Sequence, residues 1–354
     1  MNQAPSTAGA NLPGPGDTHM FHEASQAAAV LRTQFQRNDA SMLELGDTLR
    51  RLAPRAVVTS ARGSSDHAAT FAKYLVETRA NVLTASSAPS VSSIYLARQD
   101  LRGCLFLALS QSGRSPDLIV SAQNARAAGA TVIALVNSED APLADVAHHT
   151  VPLCAGIEHS VAATKSFIAS LAALVHLVAT WTNDPDLLDA LRAAPAQLEQ
   201  AWELDWSPAL ALLTPAANLY VIGRGLGLGI AQEAALKCKE TSGLHAEGFS
   251  SAEVLHGPQA LLGPRFPALV LAQHDDTRDG VATLAAELVA RDVQVLGAGV
   301  GGRGVIELPT IAAHPVIEPL LLVQSFYRMA NALAIARGHD PDRPPHLRKV
   351  TRTL

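Results

Sequence analysis

Several things are scarce in this chain, and each shortage narrows what it can be. Aromatic residues make up 4% of its 354 residues, so the core has to be built from aliphatic side chains and alanine. Three cysteines, Cys104, Cys154 and Cys238, are too few for a disulfide framework and sit in apolar contexts. They read as core thiols of a protein in a reducing, cytoplasmic setting, and they offer no metal site. Basic residues are not in excess: 27 Lys and Arg face 32 Asp and Glu, for a net charge of −5. A nucleic-acid partner is therefore not expected, and any anion site has to be local. The longest apolar stretch, residues 167–181, contains Ser170 and His176 and is too short for a bilayer, so it reads as a buried helix with no membrane partner. Residues 1–19 lack the basic and apolar regions of a signal peptide. Rich in Pro, Gly, Ala and Ser, they read as a disordered arm.

What is present is a 48% hydrophobic chain of a length that suits two domains. Short apolar runs alternate with helix-period stretches, as in Ala56-Val57-Val58-Thr59, then 68–78, Leu105-Phe106-Leu107-Ala108-Leu109, 118–128 and Val132-Ile133-Ala134-Leu135-Val136. This alternation predicts an α/β fold with a doubly wound parallel sheet flanked by helices. The pattern recurs about 160 residues later: Leu219-Tyr220-Val221-Ile222, a helix over about 229–243, a strand at 268–272, a helix over about 281–291, and Val293-Gln294-Val295-Leu296. Ala61-Arg62-Gly63 and Gly223-Arg224-Gly225 anchor the repeat, each between a strand and a helix. The expected organisation is a first unit at 20–190, a second at 200–340 and a tail at 341–354. A linker is expected around 183–206, where Pro185, Pro195 and several acids fall.

Ser110-Gln111-Ser112-Gly113-Arg114-Ser115 follows a strand and precedes a helix beginning near Pro116. Hydroxyls and unpaired amides crowded at a helix N-terminus suit a phosphate dianion. The turn lacks the G-x-x-x-x-G-K-[ST] spacing and contains no lysine, so a monophosphate fits and a nucleoside triphosphate does not. The corresponding place in the second unit, near Gln273, has two acids and few hydroxyls; only the first unit kept a cradle. A dinucleotide loop at 223–229 is not expected, because the G-x-G-x-x-G spacing fails at Leu228. Glu233, Lys237 and Glu240 stand at i, i+4 and i+7, which puts acid, base and acid on one helix face. A carboxylate beside a lysine stays ionised and can take a proton alpha to a carbonyl or iminium. His256 precedes Gly257-Pro258 and so sits in a turn, where an imidazole can serve as a proton donor and acceptor. The Pro-rich segment 340–345 stiffens the approach to Lys349 and predicts a docked tail.

Motifs in this order resemble the sugar isomerase (SIS) family, most closely the isomerase half of glucosamine-6-phosphate synthase and its stand-alone deaminase relatives. They are Gly63-Ser64-Ser65, Ser110-Gln111-Ser112-Gly113, Glu158 with Val161-Ala162-Ala163-Thr164-Lys165, Leu236-Lys237-Cys238-Lys239-Glu240, His245-Ala246-Glu247, His256-Gly257-Pro258 and Leu347-Arg348-Lys349-Val350-Thr351. The resemblance runs from about residue 20 to the end and implies two tandem SIS domains. It implies that Gly63, Ser64, Ser65, Ser110, Gln111, Ser112 and Ser115 bind a hexose or hexosamine 6-phosphate, and that Val161 and Ala162 line the sugar. Glu240, beside Lys237, would move the proton, His256 would open the ring, and Lys349 would sit at the carbonyl. It also implies a homodimer in which His256 reaches a neighbouring subunit's site, and a reaction with no metal or other cofactor. Ala163 stands where a serine is common, and Arg114-Ser115 where an acid-threonine pair is, so sugar contacts should differ in detail. With Met1-Asn2 leading straight into the arm, glutamine-dependent synthesis is not expected. The implied reaction is conversion of glucosamine 6-phosphate to fructose 6-phosphate and ammonia. The alternatives are another aldose-ketose 6-phosphate isomerase, a fructosamine-6-phosphate deglycase, a glutamine-independent synthase-like aminotransferase, or a sugar-phosphate sensor without turnover.

Overall fold

The computed structural model describes residues 12–349. Ten strands form two five-stranded sheets, every neighbouring pair parallel. The first sheet holds β1 (Ala56–Ser60), β2 (Thr84–Ser86), β3 (Cys104–Ser110), β4 (Thr131–Val136) and β5 (His149–Pro152), in the order β2-β1-β3-β4-β5. The second holds β6 (Asn218–Gly223), β7 (His245–Ser250), β8 (Ala268–Leu271), β9 (Val295–Ala298) and β10 (Val305–Leu308), in the order β7-β6-β8-β9-β10. The two orders are the same, as a duplicated unit requires. Helices α1 (His19–Ser25), α2 (Ala27–Leu52), α3 (Ser64–Arg79), α4 (Pro89–Ser93), α5 (Pro116–Ala127), α6 (Pro142–Val146) and α7 (Lys165–Thr182) accompany the first sheet. Then come α8 (Pro185–Glu203), α9 (Pro208–Leu213), α10 (Leu226–Ser242), α11 (Ser251–Val254), α12 (Arg278–Ala290) and α13 (Glu318–Ala336).

The strand alternation decides which face meets which helices. Leu105, Leu107 and Leu109 point into a core continuous with Leu219, Val221, Leu269 and Leu271 of the second sheet, filled by α2, α3, α7, α8, α10 and α13. Phe106, Ala108, Val132 and Ala134 face the other way, onto α5. Tyr220, Ile222 and Val270 do the same toward α12. The two units thus share one interior. Within it, α3 and α10 cross almost backbone to backbone. A Cβ on Gly229 would fall 2.6 Å from the His67 carbonyl oxygen and 3.1 Å from Phe71 N, so only glycine permits the approach. Helix α7 covers the apolar stretch expected to be buried, and 94% of it is.

Three expectations need correction. Residues 183–206 are not a linker but mostly α8, capped by Asp184 accepting from Leu187 N at 3.0 Å, with Pro185 in its first turn. Pro195 lies inside it, and Leu187, Leu191, Leu198 and Trp202 bury one face. The arm expected to reach residue 19 is shorter: residues 1–11 lie outside the described residues, but Thr18 is buried and caps α1, and its hydroxyl donates to Asn331 Oδ1 at 2.6 Å. Cys104 and Cys238 are core thiols, burial pushing the latter up to about 12, but Cys154 is only half-buried. In the described part of the tail, Asp342 accepts from His19 N at 2.7 Å and Met20 N at 2.8 Å at the start of α1.

Candidate active site

Loops at the C-terminal ends of β1 and β3 meet helix α10 and the tail around an open cavity of about 350 Å³. One wall is the expected cradle. Gly63, Ser64 and Ser65 open α3; Ser110, Gln111, Ser112 and Ser115 precede α5; all seven line the cavity. Gly63 has φ 56° and ψ −133°, a conformation L side chains rarely adopt, and this bend exposes the first amides of α3. Neither Gly63 nor Ser115, the residues just before α3 and α5, caps its helix with a side chain, although in α5 the Asp117 carboxylate accepts from Leu118 N at 2.9 Å; the first residues of both helices border the opening. Ser110 Oγ accepts from Gly113 N at 3.1 Å and Ser112 Oγ from Arg114 N at 3.3 Å. Held this way, each hydroxyl keeps its own proton for a ligand.

The opposite wall carries Lys237 and Glu240. Lys237 is 1% exposed and bridges Glu240 Oε2 and Glu233 Oε1, the latter at 3.5 Å. Glu233 is fully buried and accepts further bonds from Ser64 Oγ at 3.1 Å, Tyr327 OH at 3.1 Å and the His67 ring at 3.0 Å. Burial pushes the Glu233 carboxyl up, but the Lys237 charge and the His67 and Ser64 bonds overcome it, and the net shift is downward. Burial pushes Lys237 down, and Glu233 and Glu240 outweigh it, so its pKa is raised. The pair is therefore charged at neutral pH, and it holds Glu240 at the cavity edge, where its side chain is 21% exposed. Tyr327 is pushed well above its ordinary range, first by burial and then by Glu233, so it stays a hydrogen-bond donor.

The third wall is the segment after β5 and the tail. Val161 lines the cavity; Ala162 does not, being 1% exposed, and Ala163 takes the place expected for it. A tight turn causes the exchange, since Ser160 Oγ donates to Ala162 O at 2.9 Å and turns that residue inward. Two buried carboxylates fix the segment. Glu23 accepts from the amides of His159 and Ser160, and Glu158 from Thr164 N at 3.0 Å and Ser166 N at 3.2 Å. Lys349 lines the cavity but is already engaged, donating to Ser160 O at 2.8 Å and meeting Glu158 Oε2 at 3.3 Å. A Schiff base at this amine requires both contacts to break.

His256 does not line the cavity. It is exposed in the turn after α11, with Leu255 and Leu261 exposed beside it. Conversely, the motifs containing Arg62 and Arg348 gave these cavity residues no role, and the Glu233 partners His67 and Tyr327 were not singled out. Both partners are remote from Glu233 in sequence, His67 by 166 residues and Tyr327 by 94, and no local pattern signals either bond. Among the described residues, no group of three or more His, Cys, Asp and Glu could hold a metal ion.

A family model described as SIS domain matches residues 53–180 and 212–298. The chain is 33% identical over 318 residues to the isomerizing glutamine–fructose-6-phosphate aminotransferase of Aeropyrum pernix, covering 84% of this chain and 51% of that protein. It thus spans about half the length of the curated relatives it matches. Among solved structures, a proposed phosphosugar isomerase of Silicibacter pomeroyi DSS-3 is 39% identical with a TM-score of 0.88, over 92% of this chain and all of that one. The glucosamine-6-phosphate deaminase of Thermotoga maritima shares the fold at 20% identity, TM-score 0.76, over 95% of this chain and all of that one.

Proposed function

Because the chain belongs to the SIS domain family, we propose that it acts on a hexosamine 6-phosphate, converting glucosamine 6-phosphate and water to fructose 6-phosphate and ammonia. One observation carries this reading: a single cavity has two hydroxyl-lined helix N-termini on one wall and a lysine-held carboxylate on the other. The first wall suits a phosphate dianion and the second a proton transfer, separated by the body of the cavity.

In the proposed reaction the phosphate sits against Ser65, Ser110, Gln111, Ser112 and Ser115. Once the ring is open, the Glu240 carboxylate takes the proton from C2 of the aldose and returns it to C1, moving the double bond through an enolamine to a C2 imine. Water then adds to the imine and ammonia leaves. Lys237 neutralises Glu240 and fixes its pose. Lys349, braced on Glu158 and Ser160, acts as a nearby positive charge. His256 opens the ring from a second copy of the chain, which is why it lies outside the cavity of its own. The site, the dimer and these roles form one reading.

The test is a coupled assay for fructose 6-phosphate and ammonia, run with glucosamine 6-phosphate and no glutamine. Equimolar ketose and ammonia are expected. Ketose from a neutral aldose 6-phosphate, with no ammonia from the amino sugar, would keep the proton shuttle and discard the deamination. Binding without turnover of either would make the chain a sensor.

A further inference from the structure

We propose that Arg62 is the charged member of the phosphate site, braced by Asp117 so that it selects phosphorylated over neutral sugars. The proposal rests on the phosphosugar reading and adds a residue to it.

Arg62 lies in the turn between β1 and α3, immediately before Gly63, and lines the cavity with its side chain half exposed. Its Nε and Nη2 both donate to Asp117 Oδ2, at 3.0 and 2.9 Å, and Asp117 is completely buried. Asp117 stands in the first turn of α5, two residues after Ser115. The guanidinium is therefore pinned beside the serine turn and not free to swing into solvent. Among the described residues its Nη1 has no hydrogen-bond partner, which leaves one edge of the planar fork available. A fixed guanidinium edge next to amide and hydroxyl donors fits a phosphate better than a mobile ammonium does, and each such charge-assisted bond is about twice as strong as a neutral one.

The other cations are placed differently. Lys237 is occupied by two carboxylates and Lys349 by Glu158 and Ser160. Arg114 pairs with Asp140, and Arg348 is an exposed tail residue. The repeat supplies an internal control. Arg224 and Asp279 stand 162 residues after Arg62 and Asp117, yet both are exposed and no bond joins them. The braced pair exists only beside the open cradle.

Titration calorimetry with inorganic phosphate, glucosamine 6-phosphate and glucosamine, run in a Glu240→Gln background so that the amino sugar is bound and not consumed, tests this with wild-type Arg62, Arg62→Ala, Arg62→Lys and Arg224→Ala. Arg62→Ala should weaken both phosphate-bearing ligands by roughly 10- to 100-fold and flatten the salt dependence. Glucosamine should change less than twofold. Arg62→Lys keeps a counter-charge for buried Asp117 and so guards against misfolding; it should recover part of the affinity. Arg224→Ala should match wild type. Both Arg62 variants binding phosphate and glucosamine 6-phosphate within twofold of wild type would overturn the proposal alone. Wild type binding neither would overturn it together with the phosphosugar reading.

Discussion

The two units repeat the same strand order and the same glycine bend, yet only in the first is the space beside that bend open. Gly225 has φ 57° and ψ −128°, within a few degrees of Gly63, and each is the last residue before its helix. A Cβ on Gly63 would meet nothing within 4 Å; one on Gly225 would lie 3.6 Å from Gln273 Nε2 and 3.9 Å from Asp275 Oδ2. In the second unit the Gln273 amide spans the gap, donating to Arg224 O at 2.9 Å, Asp275 Oδ2 at 2.8 Å and Thr277 Oγ1 at 3.1 Å. The fold provides the anion-binding backbone twice. Side chains decide whether it is open, and here they fill one copy and add a negative charge that repels phosphate. The second unit instead contributes α10, whose Glu240 faces the first unit's cavity. Under the proposed function, duplication would divide binding from proton transfer.

That division can be broken most severely at Glu240. Glu240→Gln keeps the shape and loses the base, so kcat should fall by roughly 10²- to 10⁴-fold while KM for the phosphosugar stays within a few-fold. A variant with near-normal turnover of every hexose 6-phosphate the wild type accepts would remove proton transfer from the second unit. Next in size is Lys237→Met, which strips the counter-charge from the fully buried Glu233 and from Glu240 at the cavity edge. A loss of about 3–5 kcal/mol in chemical denaturation is expected, the usual result of removing one partner of a buried pair.

Glu233→Gln adds a pH test of the same anchor. The native pKa of Glu233 is lowered from the ordinary 4.5, so its contribution is present above that value and lost as pH falls through the native one. The stability gap between wild type and Glu233→Gln should therefore be widest near neutrality and close in acid. A gap independent of pH would mean that the carboxylate charge does not matter there. In the cradle, Ser112→Ala should cost about 1.5–3 kcal/mol of phosphosugar affinity and little for the free sugar. The smallest effect belongs to the filled copy: Asp275→Asn should leave KM unchanged and shift stability by under about 1 kcal/mol. A changed KM there would show that the second cradle still takes part.

Much of this was legible because it is local. The doubly wound sheets follow from runs such as 105–109 and 132–136, and the serine turn shows its own chemistry. The face carrying Glu233, Lys237 and Glu240 is a matter of helix spacing. Misreadings arose where local cues conflicted with tertiary packing. Pro195 and neighbouring acids suggested a linker, although Leu187, Leu191, Leu198 and Trp202 carry a helical period that the core uses. Ala162 and Ala163 differ only in which way a tight turn directs them, and a sequence of two alanines cannot encode that. The Tyr327 bond to Glu233 and the Lys349 bond to Ser160 join residues 94 and 189 positions apart, and nothing near either residue signals its partner.

The Gly229 crossing has a further consequence. Ser65 opens α3 and Glu240 stands on α10, so the span between these two residues is set where the helices touch, at a glycine packed against the His67 carbonyl and Phe71. Under the proposed function the cavity would act as a ruler with a fixed gap. A phosphosugar would be measured from its phosphate to its reacting carbon, and one carbon more or less would place the wrong atom under Glu240 with the binding surfaces unchanged. Chain-length discrimination would then be a property of an interhelical distance, and adding a single methyl group at Gly229 would recalibrate it from outside the cavity.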